Sequence, residues 1–312
     1  MITEKKYADH DEWLALRSHY IGGSDASAVI GLNPYKSAYE LWAEKTGKLP
    51  PFEGNVTTKV GAYLEDLVAT MFTEETGKKV RKRNATIFND EFPWACANID
   101  RAVVGEKAFL EIKTTNSFPI MKKLRASEEF PEIYYAQCVH YLAVTGLEKA
   151  YLAVLVNCRE LKIYELDRDQ AEIDALMAAE ESFWELVTSD TPPAVDGSDS
   201  TSETLSTLYP ESDGSKVDLF AMDTVLDAYM DVNAKIKDLT GLRDKLANQV
   251  KEYMKAAEKG ESDRYRVSYG TTERRSFDSK AYEKDHVDLD LSAYWKTTSS
   301  RTFRVTEKGA KS

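Results

Sequence analysis

The amino-acid sequence predicts an α/β (α+β) fold in which helices flank a small central mixed sheet. Apolar residues recur at helical spacing over residues 57–76, whereas the pattern over residues 80–115 is typical of strands. Helical patterns return at residues 131–145 and 169–188, on either side of two further strand-like segments. Helical and strand patterns that alternate along one chain are typical of a layered core.

Short helices are predicted ahead of this core. Residues 11–18 and 24–31 have helical patterns on either side of the Gly22-Gly23 pair, and residues 37–46 form a third helix. Glycines between apolar segments mark breaks, so these helices are expected to be separate.

The strands fall in two groups. The segments RNATIFND, WACANIDRAVVG and AFLEIKTT lie between residues 83 and 115, with a turn predicted at Gly105. Residues 149–157 and 160–166 form a second pair around Asn157.

The chain is expected to contain one main domain and an appendage. Residues 1–190 form the domain, and residues 191–215 have the Ser, Thr, Pro, Asp and Gly content of a linker. Residues 216–312 form a helical and small β appendage. Its apolar stripe predicts a long amphipathic helix, or a hairpin broken near Gly241. The stripe fits either internal packing or a coiled-coil partner.

The C-terminal segments RYRVSYG and SRTFRV are predicted to be β-strands.

Composition excludes several classes of protein. The 312 residues include 41 Lys+Arg and 53 Asp+Glu, for a net charge of -12. No apolar run approaches the ~18 residues of a membrane span, and the first residues lack the apolar segment of a signal peptide. Three widely separated cysteines cannot form a four-cysteine zinc or iron–sulfur site. We therefore expect a cytoplasmic protein with free thiols and no membrane partner.

A pair of carboxylates marks the segment with chemistry. Glu111 and Lys113 alternate with apolar residues, so they share one face of a strand. Asp100 lies on the preceding strand and comes close to Glu111 if the two strands pair. Carboxylates on adjacent strands suit Mg²⁺ or Mn²⁺, and Lys113 could hold a water beside them. The alternative is a solvent-facing strand with a weak surface ion pair.

Two helices could contribute further polar groups. Glu65 interrupts the apolar stripe of its helix, and Gly61 one turn earlier permits close approach of another backbone. Gln137 and Tyr141 are four residues apart and share one helix face. The alternatives are a solvated glutamate and a half-buried polar pair.

Taken in order, G-x-x-x-E, Asp100, E-x-K and Q-x-x-x-Y resemble the PD-(D/E)xK nuclease superfamily, in the version shared by RecB-like and lambda-type exonucleases. The segment WLALRSHYIGGSDASAVIGLNPYKS, residues 13–37, is similar to YqaJ-type viral recombinases, which group with lambda-type alkaline exonucleases. The resemblance covers residues 10–190 and, less specifically, the tail. One departure is Ile99, which stands before Asp100 where the superfamily name has proline.

The resemblance implies a PD-(D/E)xK core and a Mg²⁺-dependent 5′→3′ exonuclease. Such an enzyme degrades one strand of linear double-stranded DNA and leaves a 3′ single strand for annealing recombination. Asp100 and Glu111 would ligate Mg²⁺, with the Ile112 backbone carbonyl as a further ligand. Lys113 would position the attacking water, and Glu65 would serve a second metal or its water shell.

The resemblance also assigns supporting and end-binding residues. Gln137 would support the site, and Tyr141 completes the helix motif. Arg17 and Ser24 match positions that hold a terminal 5′ phosphate. An arginine fork and a hydroxyl near backbone N–H groups suit an anion. The alternatives are a surface ion pair for Arg17 and an N-cap for Ser24.

Partners follow from the same resemblance. It implies a single-strand-annealing protein, a ring of identical subunits, most simply a trimer, and a phage or prophage protein in a bacterial host. The strongly acidic segment 126–192 would then lie away from DNA or at a subunit interface.

Two other functions remain open at this point. A structure-specific or restriction-type endonuclease would use the same site on internal bonds. A non-catalytic DNA-binding recombination scaffold would need none of the site residues for its activity. The four histidines lack metal-ligand spacing, and His140 is predicted to pack rather than act as a base.

Overall fold

The computed structural model describes residues 1–6, 12, 16–50, 54–286, 290, 292–296, 298 and 300–306. The chain divides into two compact units, Met1–Tyr209 and Pro210–Ser312.

The first unit contains both helices and strands, as predicted. Its strands are β1 (Ile2–Lys5), β2 (Ile21–Gly22), β3 (Val80–Lys82), β4 (Thr86–Asn89), β5 (Ala95–Ala97), β6 (Arg101–Val103), β7 (Ala108–Thr115), β8 (Lys149–Val156) and β9 (Glu160–Asp167). Its helices are α1 (Gly23–Val29), α2 (Ala38–Lys45), α3 (Val56–Thr76), α4 (Phe118–Ala126), α5 (Glu132–Thr145), α6 (Gln170–Thr188) and α7 (Asp199–Leu208). Most of the helix predicted at residues 11–18 lies outside the described residues, although residues 16–18 are helical.

Two sheets organise this unit. The larger has the order β3-β6-β7-β8-β9, in which only β7 and β8 run parallel. The smaller has the order β1-β4-β5-β2. The predicted mixed sheet flanked by helices is confirmed.

Strand β7 is buried on both faces, because helices cover it on each side. Leu110 and Ile112 pack in one cluster with Val68 and Phe72 of α3. Phe109, on the opposite face, packs in a second cluster with residues of α5. Glu111, which lies between these apolar residues, therefore sits inside the protein, whereas residues 113–115 are partly exposed.

The lengths of α3 and α5 follow from their ends. The Asn55 side chain accepts the Thr58 backbone N–H at the start of α3, and Gly77 ends the helix in the left-handed conformation at φ 73°. Gly146 ends α5 in the same way, at φ 65°. Helix α5 is buried on almost all sides, so it presents polar side chains to the interior.

Part of the predicted linker is wrong, because residues 199–208 form helix α7 within the first unit. Ser198 caps this helix by accepting the Thr201 N–H, and Ser200 accepts the Ser37 backbone N–H. Leu205 packs against the cluster that contains α2. Serine-rich composition here supplies caps and contacts rather than flexibility.

Helix α4 was not predicted. It buries Leu124 against β8 and leaves most of its other side chains partly or fully exposed. One buried residue gives too weak a periodicity to detect.

The second unit is built around one helix, α8 (Asp223–Met254), which continues through Gly241 without a break. Strands β10 (Lys259–Glu261) and β11 (Arg266–Ser268) form a hairpin, and α9 (Ser279–Asp285) follows. The predicted strand in SRTFRV is wrong, because described residues 300–306 have no regular structure.

The apolar stripe of α8 is exposed in the described part of the chain. Its members are between 40% and 65% exposed: Val225, Tyr229, Val232, Ile236, Leu239, Leu242, Leu246 and Val250. Extensive internal packing of this stripe is therefore not found among the described residues.

Three further short stretches are found among the described residues. They are the 3₁₀ turns at Phe220–Met222 and Ser292–Tyr294, and the bend at Asn157 and Cys158 between β8 and β9. Of the described helices, none has the length and apolarity needed to cross a bilayer.

Candidate active site

The pairing of β6 with β7 brings Asp100 to Glu111. Arg101 lies opposite Leu110 in this antiparallel register, so the residue before Arg101 meets the residue after Leu110. Asp100 Oδ2 accepts the backbone N–H of Ile112 at 2.7 Å. The predicted convergence of Asp100 and Glu111 through the turn at Gly105 is therefore found.

Glu111 is the centre of the site. Its side chain is 3% exposed, which contradicts the solvent-facing alternative. Oε1 accepts from Lys113 Nζ at 2.7 Å and from Gln137 Nε2 at 2.7 Å. Oε2 is buried and has no hydrogen-bond partner. Buried carboxylate oxygens usually accept a hydrogen bond or bind a cation, so Glu111 Oε2 is suited to a cation.

Removal from solvent and nearby negative charge make Asp100 and Glu111 harder to ionise. Burial raises the pKa of Asp100 well above its usual value, and the charge of Glu111 raises it further. Burial also raises the pKa of Glu111, against the opposing effect of Lys113. Glu65 adds a smaller repulsion to both. Positive charge beside these two carboxylates therefore favours their ionised forms.

Lys113 stays protonated in this arrangement. Burial acts to lower its pKa, but the carboxylates of Glu111 and Asp100 raise it overall. Its Nζ also lies 5.9 Å from the centre of the Tyr134 ring. A charged ammonium can hold a water or a phosphate oxygen, but it cannot accept a proton.

Glu65 lies close enough to influence the site but is engaged elsewhere. Its carboxylate pairs with Arg101, which also binds Asp66 at 2.7 Å and the Asp100 carbonyl at 2.6 Å. The Glu65 side chain is 31% exposed and lies on α3. Gly61, one turn earlier, faces the Thr114 hydroxyl, as expected for close approach of β7.

Gln137 and Tyr141 connect this site to a second polar cluster. Gln137 Nε2 donates to the Tyr141 hydroxyl at 3.2 Å as well as to Glu111. The positive charge of Arg17 acts on Tyr141, although burial and Glu111 raise the pKa of the phenol overall. The predicted pairing of Gln137 with Tyr141 on one helix face is thus found.

Arg17 and Ser24 lie together in the second cluster. The guanidinium donates to the Ser24 hydroxyl and lies 3.8 Å from Asp25. The Arg17 side chain is 29% exposed, so a solvent-borne anion can reach it. The predicted alternative, an ion pair of Arg17 with residues 11 or 12, concerns a segment of which only residue 12 is described.

The donor set of the first cluster fits a divalent cation that prefers oxygen ligands. The unpartnered Glu111 Oε2 and the raised pKa values of Asp100 and Glu111 support this fit. Among the described residues, however, no three His, Cys, Asp or Glu side chains are grouped closely enough to hold a metal ion. The pairing of Glu65 with Arg101 is consistent with that result. The fit therefore rests on Asp100 and Glu111.

Sequence patterns missed four neighbours of these clusters. Arg101 holds Glu65, Tyr134 lies beside Lys113, and Asp25 and Lys45 lie behind Arg17. A charged residue directly after Asp100 in an otherwise apolar strand was the available signal for Arg101. The partners of Lys45 are distant in sequence, so no local pattern indicates them.

His140 packs in the interior, as predicted. Its ring nitrogens lie 2.8 Å from Glu180 and 2.9 Å from the Cys96 carbonyl. Burial acts to lower its pKa, but Glu180 raises it overall. The pair joins α5, α6 and β5 and makes no contact with the site carboxylates.

The same arrangement of sequence and fold occurs in known proteins. Residues 12–148 match the YqaJ-like viral recombinase domain. The protein named Uncharacterized protein YqaJ, from Bacillus subtilis (strain 168), is 37% identical over 313 residues, which cover 98% of this chain and 97% of that protein. The chain belongs to the YqaJ-like viral recombinase family.

Solved structures relate this YqaJ-like protein to alkaline exonucleases. The crystal structure of LHK-Exo in complex with dAMP matches with a TM-score of 0.50 and 19% identity, over 58% of this chain and 94% of that chain. LHK-Exo is an alkaline exonuclease from Laribacter hongkongensis. At 19% identity this comparison shows that the two proteins share a fold.

Proposed function

We propose that this YqaJ-like protein is a metal-dependent deoxyribonuclease. The observation that carries the proposal is the convergence of the half-buried Asp100 and the buried Glu111, with the charged Lys113 beside them. A non-catalytic scaffold has no need for two neighbouring acids whose pKa values are raised, chiefly by their removal from solvent. The cost of holding them is explained by a reaction that uses them.

Asp100 and Glu111 would hold Mg²⁺, and Mn²⁺ suits the same oxygen donors. The Ile112 carbonyl and Glu65 are further donors in this proposal. When bound, the cation activates a water and neutralises charge on the phosphate.

The remaining residues have roles that their contacts support. Lys113 donates hydrogen bonds to the attacking water or to a phosphate oxygen. Gln137 fixes the orientation of Glu111 through its bond to Oε1. Tyr141 orients Gln137. Helix α5 thereby holds the Glu111 carboxylate in place through Gln137, and its side chains do not act as the base of the reaction.

The substrate is proposed to be linear double-stranded DNA with a 5′ phosphate. Arg17 and Ser24 would bind that terminal phosphate, since a guanidinium and a hydroxyl suit its oxygens. Tyr141 and Gln137 connect this cluster to Glu111, so a strand held by its 5′ end would reach the carboxylates. The expected product is a 3′ single-stranded overhang, used by a single-strand-annealing partner.

A ring of identical subunits, proposed to be a trimer, would keep the enzyme on its DNA despite the net charge of -12. The exposed acidic side chains of segment 126–192 would face away from the DNA. Light scattering of the purified protein measures the subunit number directly, and a monomeric mass contradicts the ring.

Digestion of defined DNA ends tests the activity. Linear duplexes with a 5′ phosphate or a 5′ hydroxyl are incubated with Mg²⁺, Mn²⁺ or EDTA, and each strand carries its own label. We expect loss of the 5′-phosphorylated strand from its 5′ end, only with a divalent cation.

Matched variants connect this activity to the site. Glu111→Gln and Lys113→Met should each lower the rate by more than about 10²-fold, because both act on the reacting groups. Glu172→Gln, at an exposed position of α6, is the control and should digest at the normal rate. Cleavage of closed circular plasmid would instead favour an endonuclease. Unchanged activity of Glu111→Gln contradicts the assigned site.

A further inference from the structure

Helix α8 carries a seven-residue repeat that the proposed active site does not use. From Val225 to Tyr253 its apolar residues recur in alternating steps of four and three, with Arg243 as the one charged member. A repeat sustained over four heptads is typical of a helix that packs lengthwise against another helix. The nine positions of this seam are Val225, Tyr229, Val232, Ile236, Leu239, Arg243, Leu246, Val250 and Tyr253.

The seam stays exposed within the part of the second unit that the structure describes. Its eight apolar residues retain between 40% and 91% of their accessible surface. The half-buried residues of α8 lie instead along one flank of the seam, at Leu226, Met230, Thr240, Ala247 and Met254. The seam is therefore open to a further helix.

The seam is also large enough for a stable pair of helices. Burial of roughly 60–80 Å² on each of its eight apolar residues removes about 1,000–1,300 Å² from solvent over two copies. A specific interface between proteins needs about 1,000 Å². Two copies of α8 therefore meet that requirement without any other contact.

The charges of α8 are distributed unevenly along its length. Residues 223–234 contain three Asp and no Lys or Arg, whereas residues 235–254 contain five Lys or Arg and three Asp or Glu. An antiparallel second copy places each acidic half beside a basic half, and the two helix dipoles then run in opposite directions. A parallel copy would place like charges side by side. The charge pattern therefore favours a second copy of this chain in the antiparallel orientation.

Arg243 favours the same orientation on separate grounds. In a parallel pair both Arg243 side chains would occupy one layer of the apolar interface, where like charges repel. An antiparallel register pairs Ile236 with Leu239 of the second copy. Arg243 then lies opposite Val232, and the two arginines are about 16 Å apart along the axis. Each long side chain can extend past a valine to solvent.

We propose that α8 pairs with α8 of a second copy of this chain as an antiparallel two-stranded coiled coil. The contact has two-fold symmetry, so it joins assemblies in pairs. Two monomers become a dimer, and two rings become one particle of twice the mass. The interface lies outside the residues assigned to cleavage and to end binding, so it does not rest on the proposed function.

Disulfide trapping tests the orientation in the full-length protein. Val225 and Val250 share a layer in the antiparallel register, whereas each meets its own counterpart in a parallel pair. Cys158, the exposed native cysteine, is first replaced by serine. Val225→Cys and Val250→Cys proteins are then co-expressed with different affinity tags and oxidised gently. We expect linked pairs that contain both tags, and about tenfold fewer links from either variant alone, because a disulfide needs Cα atoms within about 7 Å.

The mass of the particle tests the surface independently. Leu239→Asp puts a charge at the centre of the seam and should halve the mass measured by light scattering, because the unpaired carboxylate cannot be buried there. Ala234→Asp is the matched control, since it places the same charge on the opposite, exposed face of α8 and should keep the wild-type mass. Circular dichroism checks that both variants remain folded.

An odd number of subunits in the wild-type particle overturns the inference, as does an unchanged mass in Leu239→Asp or a halved mass in Ala234→Asp. Disulfides that form efficiently in each cysteine variant alone also overturn it, because they indicate a parallel pair. A dimeric wild-type protein that Leu239→Asp makes monomeric supports the coiled coil and contradicts only the ring.

Discussion

Asp100 shows how a single half-buried residue can link stability to function. Its carboxylate accepts one backbone N–H and lies beside a second acid. Without a cation, ionisation of both acids is costly. The native state of the metal-free protein should therefore be less stable than its packing alone allows.

Asp100→Asn should make the metal-free protein more stable, by roughly 1–3 kcal/mol, because it removes a half-buried carboxylate that Glu111 repels and keeps the side-chain volume. The same change should abolish the stabilisation that Mg²⁺ confers on the wild-type protein. Thermal unfolding in EDTA and in Mg²⁺ measures both effects. Asp174→Asn, at an exposed position of α6, serves as the control. Equal stabilisation of Asp100→Asn and wild type by Mg²⁺ contradicts the proposed ligand.

The same residue predicts a pH dependence. The pKa of Asp100 is raised in the folded protein, so the unfolded chain ionises first as pH rises. The folded state then loses stability from about pH 4 upward until the folded pKa is passed. The stability deficit of wild type against Asp100→Asn in EDTA should be near zero at pH 4 and grow toward pH 8. Urea unfolding at a series of pH values measures it, and a deficit that shrinks with pH would be the opposite result.

Site residues whose position follows from a local sequence pattern could be predicted. Residues whose partners are distant in sequence could not. Asp100 and Glu111 were found because strand alternation and a short turn determine their approach. Arg101 and Lys45 were missed because each binds groups on another element. No spacing rule connects Lys45 to the carbonyls of Arg17 and Tyr20, 28 and 25 residues away.

At the level of elements, α1 and α5 must pack unusually closely. Gly23 faces the ring of Tyr141, and a Cβ atom at this position would overlap the ring. The need for close approach explains the second glycine of the Gly22-Gly23 pair. The Tyr141 hydroxyl in turn accepts from Gln137, so the packing reaches the site.

Gly23→Ala should destabilise the protein by about 1–3 kcal/mol, the usual cost of an added methyl group in a packed interior. It should also lower nuclease activity, because displacement of Tyr141 disturbs the residues that orient Glu111. Thermal unfolding and DNA digestion measure these effects. Gly241→Ala is the control, since it lies in α8 with open space around it and should stabilise the protein by about 0.5–1 kcal/mol. A neutral Gly23→Ala would show that the contact is easily relieved.

Elements were predicted where one face carries a regular pattern. Helix α3 and strands β7 to β9 have strong periodicity and clear ends, so their limits agree within a few residues. Helix α7 was missed because serine and threonine favour both turns and helix caps. The choice between these uses depends on Leu205 finding an apolar partner, which is a tertiary effect.

At the scale of the whole molecule, every residue assigned to the site belongs to the first unit, Met1–Tyr209. The second unit contributes none of them. A protein that ends at residue 209 should therefore fold cooperatively and retain cleavage of linear duplex. Circular dichroism during heating and the digestion assay test this, and complete loss of activity in a folded fragment would assign the second unit a direct role.

On the way from Ser24 and Arg17 to Glu111 lie Tyr141 and Gln137, which are one turn apart on α5. A helical turn is a stiff spacer of about 5.4 Å, and its length does not vary between cycles. A strand gripped at its terminus would then be cut at a constant interval from that terminus. Released fragments would be uniform in size whatever the base sequence, so the fold would set the length of the product as well as position the cleavage.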